Sequence, residues 1–202
     1  MDVLAPVDGY DLTLQAGEFV AVVGPSGSGK TTLLNLLSGW ERTDAGVIEW
    51  QGAPDDPARL GWSEVATVPQ VPGLLDELSV RENVALPLLL AAGATWQEAT
   101  EGPKVNGLLT GLGLTEQADR RPSATSLGEQ QRCSVARALV CAPALLLADE
   151  PTTHQNEAMI DAVLVALSAA VTAGTCCVVA THSPEVIGRA SRVLDLSDSR
   201  SL

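Results

Sequence analysis

Phe19-Val20-Ala21-Val22-Val23 runs straight into Gly24-Pro25-Ser26-Gly27-Ser28-Gly29-Lys30-Thr31, and Thr31 to Ser38 follows with leucines at 33, 34, 36 and 37 before Gly39. The middle stretch matches G-x-x-x-x-G-K-[ST], and its flanks read as a buried strand before it and a short helix after it. Glycines let successive backbone N–H groups curl around an anion without Cβ clashes, and the following helix N-terminus adds positive potential. Lys30 is placed to reach β- and γ-phosphates and the Thr31 hydroxyl to bind a divalent cation. An ordinary glycine-rich turn would need neither the Lys-Thr pair nor this strand-to-helix setting. The stretch predicts a nucleotide-phosphate site.

Outward from this loop, Ala144 to Ala148 and Cys176 to Ala180 are short apolar runs suited to parallel strands buried on both faces. Between them, Ile160, Val163, Leu164, Leu167 and Val171 recur at offsets of three and four, which predicts a crossover helix over 157–173. Val65 to Val68 reads as a further strand, and so does Val47 to Trp50. Residues from about 74 to 122 lack strand alternation and look mainly helical. The pattern is α/β with a mostly parallel sheet and an inserted helical piece. The run Leu145-Leu146-Leu147-Ala148 ends in Asp149-Glu150, and a parallel sheet presents ligands at the carboxyl ends of its strands. Asp149 is therefore expected in the shell of Mg²⁺, with Glu150 facing the attacking water as general base. Taken alone, two acids after an apolar run could equally cap a helix.

Composition narrows the field. The 202 residues include 12 basic and 25 acidic side chains, a net charge of −13, with 46% hydrophobic residues and 3% aromatic. That apolar share supports one sizeable core. Acidity and scarce aromatics argue against a nucleic-acid-binding surface, which needs clustered cations and stacking rings. The longest uncharged apolar stretch, 84–94, is interrupted by Pro87 and Gly93 and falls short of the roughly 20 residues of a spanning helix. The first basic residue is Lys30, so the beginning lacks the positive region of a secretory signal. Cys133, Cys141, Cys176 and Cys177 lack zinc-type spacing and read as apolar filler in a reducing cytoplasm.

Ser126-Leu127-Gly128-Glu129-Gln130-Gln131-Arg132 precedes a helix, and S-x-x-E is the spacing of a capping box. A cap alone does not account for its place, between the phosphate-binding loop and just before Asp149-Glu150. The whole order resembles the ATP-binding subunit of ABC transporters. Gly24 to Thr32 matches Walker A, and Gln70 after Ala66-Thr67-Val68-Pro69 matches the Q-loop. Thr125 to Arg132 matches the signature, Leu145 to Glu150 with Pro151-Thr152 matches Walker B, and His182 after Val178-Val179-Ala180-Thr181 matches the switch histidine. Phe19 to Trp50 is similar to the ATPases of lipoprotein-release and macrolide-export systems.

The resemblance implies a P-loop NTPase core of ABC type with a helical subdomain over about 74–125, in a single domain 1–202. It implies ATP and Mg²⁺ as ligands, the nucleotide held by Gly24, Pro25, Ser26, Gly27, Ser28, Gly29, Lys30, Thr31 and Thr32. Gln70 would join Thr31 and Asp149 around the metal, and His182 would hold the γ-phosphate beside Glu150. Ser126, Gly128 and Glu129 would serve ATP bound to a second ATP-binding subunit, in a homo- or heterodimer. The pair would work from the cytoplasmic side of an integral membrane permease, without nucleic acid. Three departures stand out: Leu127 where the signature has glycine, Gln155-Asn156 where a Leu-Asp pair is usual, and no clear adenine-stacking aromatic, Tyr10 lying too near the loop. They leave a low-turnover regulatory subunit as the alternative to a transport ATPase.

Overall fold

In the computed structural model, residues 11–50, 60–92 and 95–198 are described. Five parallel strands form one sheet in the order β2-β3-β4-β1-β5: β1 Phe19–Val23, β2 Val65–Val68, β3 Leu145–Asp149, β4 Cys176–Ala180 and β5 Arg192–Asp195. β3 and β4 are buried along their whole length, which is why they read as unbroken apolar runs instead of alternating ones. Neighbouring residues still part company. Leu146, Ala148, Cys177 and Val179 join one core cluster, whereas Leu145, Leu147, Cys176 and Val178 join another on the opposite face.

The second cluster is covered by α1 (Lys30–Ser38) through Leu33 and Leu34. The first takes in α5 (Leu127–Leu139) and α6 (Glu157–Thr172), together with α2 (Val80–Ala92), α4 (Pro103–Gly111) and α7 (Pro184–Arg189). Helices α2, α3 (Trp96–Glu101) and α4 follow one another between β2 and α5, so the inserted segment is helical as its sequence predicts. Asn83, fully buried on α2, holds the approach to that segment: its amide donates to the Leu75, Leu78 and Ser79 carbonyls and its oxygen accepts from Leu75 N.

The expected strand at Val47–Trp50 is not there. Val47 is 76% exposed, and only Trp50 forms an isolated bridge while its side chain packs on the second cluster. Among the described residues that bridge is all the pairing the run has, and a short apolar pattern does not by itself hold a strand. Conversely, β5 and α7 went unread because each is short, at four and six residues. All four cysteines are free; Cys133, Cys176 and Cys177 are buried, and burial pushes the thiols of Cys133 and Cys177 up to about 12. They behave as apolar filler, in keeping with their sequence reading. Tyr10 lies outside the described residues.

Candidate functional site

The strand order puts four sequence-distant segments side by side. Along the carboxyl edge, the exposed Gln70 follows β2, Asp149-Glu150 ends β3, Thr181-His182 follows β4, and the phosphate-binding loop follows β1. Backbone hydrogen bonds carry the alignment past the strand ends: Glu150 N donates to Ala180 O at 2.9 Å, and Thr181 N to Val22 O at 3.0 Å.

The loop is built for an anion. Gly24 has φ 148°, and a Cβ there would sit 2.6 Å from Ser28 Oγ; Gly29, at φ 93°, supplies the left-handed N-cap of α1. Gly27, at φ 80°, faces open space. The Ser28 hydroxyl is buried without a hydrogen-bond partner among the described residues, a polar group waiting for one. Lys30 is 9% exposed and donates from Nζ to Gly24 O at 2.8 Å and Pro25 O at 3.1 Å. An ammonium has three N–H donors, so one remains for a phosphate.

Thr31 Oγ1 donates to Asp149 Oδ2 at 2.7 Å, bringing a hydroxyl and a carboxylate from α1 and β3 together. Adjacent ligands of one octahedral Mg²⁺ lie about 2.9 Å apart, so this donor pair fits that ion. Glu150 adopts φ 49°, a left-handed conformation unusual for a glutamate, at the point where the chain leaves β3. Its Oε2 accepts from Thr181 Oγ1 at 3.2 Å, while its buried Oε1 has no hydrogen-bond partner among the described residues and lies 4.0 Å from His182 Nε2. One carboxylate oxygen is thus held and the other is free to accept a proton. His182 keeps 61% of its side chain exposed.

Ser126, Gly128 and Glu129 form a separate cluster at the start of α5. Ser126 Oγ accepts from Glu129 N at 3.3 Å while Glu129 Oε2 accepts from Ser126 N at 2.7 Å, so the capping box is realised. Burial raises the Glu129 carboxyl, but the hydrogen bonds from Ser126 and the charges of Arg132 and Arg120 outweigh it and hold its pKa below the ordinary value. Gly128 is buried, and a Cβ on it would meet His154 O at 2.7 Å. Leu127 is 57% exposed.

Further connections of α5 were not foreseen. Arg137 donates to Gly73 O and Pro72 O, both at 2.8 Å, and Gln131 to Pro69 O at 3.5 Å, so α5 fastens the loop around Gln70. Gln155 links Gly128 to Arg132. Asn156 is the N-cap of α6, its side chain accepting from Met159 N at 3.0 Å. The signal for Thr181 was present, since it directly precedes His182 at the end of an apolar run. Nothing local marked Arg137, whose partners lie more than sixty residues away.

The ABC transporter family matches residues 7–153. The lipoprotein-releasing system ATP-binding protein LolD of Maricaulis maris (strain MCS10) is 42% identical over 197 residues, covering 94% of this chain and 85% of that protein. The macrolide export ATP-binding/permease protein MacB of Rhodopseudomonas palustris (strain BisB18) is 40% identical over 93% of this chain, which spans only 29% of that longer protein. A solved dimeric ATP-binding cassette, in a post-hydrolysis state bound to ADP and Pi, superposes with a TM-score of 0.84 at 29% identity, over 93% of this chain and 84% of the other. The chain belongs to the ABC transporter family. Within it, the chain is an ATP-binding subunit of the ABC ATPase type.

Proposed function

We propose that two copies of this fold, identical or paired with a related chain, close on two ATP molecules and drive a membrane permease. Residues 1–202 form one ATP-binding domain, with about 74–125 as its helical subdomain. The observation that carries the reading is the convergence of Thr31, Asp149, Glu150 and His182 at the ends of three adjacent strands. The backbone of Gly24, Pro25, Ser26, Gly27, Ser28 and Gly29, with Lys30, Thr31 and Thr32, holds the phosphates. Thr31, Asp149 and Gln70 hold Mg²⁺, which when bound neutralises charge on the phosphoryl oxygens. Glu150 takes the proton of the attacking water on its free Oε1, while Thr181 steadies the other oxygen and His182 faces the γ-phosphate. Ser126, Gly128 and Glu129 complete the site of the partner subunit from the N-terminus of α5.

A permease partner is supported by the named relatives and by exposed apolar side chains, Val71 and Leu75, on the loop that α5 fastens. Among the described residues no helix is long and apolar enough to cross a membrane. By analogy with the named relatives, attachment runs through that partner on the cytoplasmic face. The relatives' names point to lipoproteins or macrolides as the class of cargo. The decisive experiment is phosphate release with Mg²⁺ and the cognate permease, for wild type and Glu150→Gln. Mg²⁺-dependent turnover in the wild type alone supports the reading. ATP binding without turnover in either protein favours a regulatory subunit, the reading to which the side chain of Leu127 at the start of α5 lends weight.

A further inference from the structure

Gln155 has both ends of its side-chain amide engaged. Its Oε1 accepts from Arg132 Nη1 at 2.6 Å, and its Nε2 donates to Gly128 O at 2.8 Å. The orientation is forced. A reversed amide would set NH₂ against a guanidinium and oxygen against a carbonyl. Arg132 is only 7% exposed and anchors the bridge from the other side, donating from Nε to Leu112 O at 2.8 Å. A leucine here would leave a buried guanidinium donor without that acceptor.

The bridge joins two segments with different duties. One is the loop that leaves Glu150, bent by left-handed residues at Glu150 (φ 49°) and His154 (φ 63°). The other is the first turn of α5, with Ser126 and Gly128. They also touch through backbone, since a Cβ on Gly128 would come within 2.7 Å of His154 O. Only a residue without a side chain admits the loop this closely.

We propose that Gln155 is a positioning residue: it fastens the loop leaving the catalytic base to the helix end offered to the partner's nucleotide, so that the two shift together. The proposal rests on the composite-site reading above and names the side chain that would carry a change at one ATP site to the other. No bond is made or broken. The signal passes as a displacement of 150–155 against α5.

The test uses the full chain and Gln155→Leu, which removes both hydrogen bonds at similar volume. ATP affinity of the single chain is read first, to report an intact fold and phosphate-binding loop; Gln155→Met replaces the leucine variant if that affinity is lost. In a Glu150→Gln background, ATP-driven dimerisation followed by light scattering should weaken about tenfold, in line with a lost charge-assisted pair. In otherwise wild-type protein, the Hill coefficient of ATP hydrolysis should fall toward one, a change that a merely structural contact would not produce. Amide exchange over 127–130 and 152–156 should rise in both segments together. If Glu150→Gln forms no ATP dimer, the composite-site reading fails. If it dimerises, and Gln155→Leu leaves both the midpoint and the Hill coefficient unchanged, Gln155 does not couple the sites and the proposal is overturned.

Discussion

The phosphate-binding loop and the start of α5 are both helix N-termini, yet they are finished in opposite ways. At α1 the cap is Gly29, which has no side chain to accept a hydrogen bond, and the Ser28 hydroxyl beside it is buried and unpartnered among the described residues. At α5, Ser126 and Glu129 satisfy one another in a closed capping box, and Gln155 occupies the next carbonyl. The first terminus leaves its donors open for an anion; the second has already spent part of its capacity internally. An N-terminus completed within its own chain needs a partner's nucleotide to approach a formed surface, whereas the open one can wrap its ligand.

Substitutions can break this contrast. Glu150→Gln should have the largest effect, lowering hydrolysis by about 10²–10⁴-fold while ATP affinity stays put, measured by phosphate release and nucleotide titration. Equal turnover in both proteins would remove Glu150 from its role. Lys30→Ala deletes a charge-assisted contact at the open terminus and should weaken ATP binding about ten- to a hundredfold, or about 1.5–3 kcal/mol. Unchanged affinity would sink the loop's assignment.

At the closed terminus the effects should be structural and smaller. Gly128→Ala gains about 1 kcal/mol of helix propensity, but its Cβ must displace the His154 carbonyl, and overpacking against backbone costs about 1–3 kcal/mol. Net destabilisation in denaturant unfolding is expected, and a more stable variant would show that the 2.7 Å approach relaxes freely. Glu129 adds a pH signature. Its carboxyl pKa is lowered in the folded chain, so its stabilisation is present above the unfolded value and fades as pH falls through the folded one. Glu129→Gln should flatten that acid limb of the stability curve. Smallest of all, Asn156→Asp keeps an N-cap on α6 and should change stability by less than about 0.5 kcal/mol. Combined with Leu127→Gly, it should raise dimer turnover without altering ATP affinity of the single chain; a pair with wild-type turnover would mark both positions as neutral.

The open terminus was also the legible one. Its residues are contiguous, and their spacing carries the chemistry, so Gly24 to Thr31 could be read directly, as could Asp149-Glu150 from the apolar run before them. At the closed terminus the local Ser126–Glu129 box was legible too, but the rest depends on partners far along the chain. Gln155 stood out in sequence only as a departure, and its bonds to Gly128 and Arg132 span more than twenty residues. Asn156 was marked for the charge it lacks, while its visible work is to start α6. The run 47–50 failed for the converse reason: a short apolar stretch that keeps only the Trp50 bridge among the described residues. What depends on local order can be read from order; what depends on who arrives from elsewhere cannot.

The resting position of Lys30 has one more consequence. With its ammonium donating to the carbonyls of Gly24 and Pro25, Lys30 ties the loop into a closed ring while keeping its charge. The third N–H of Lys30 stays available, so a phosphate oxygen can bind there without first breaking the ring. A triphosphate offers that N–H and the loop's backbone donors more oxygens and more charge than a lone chloride or acetate does. The ring therefore preorganises the loop: the chain's own carbonyls set its shape, and less ordering is left for the phosphate to impose.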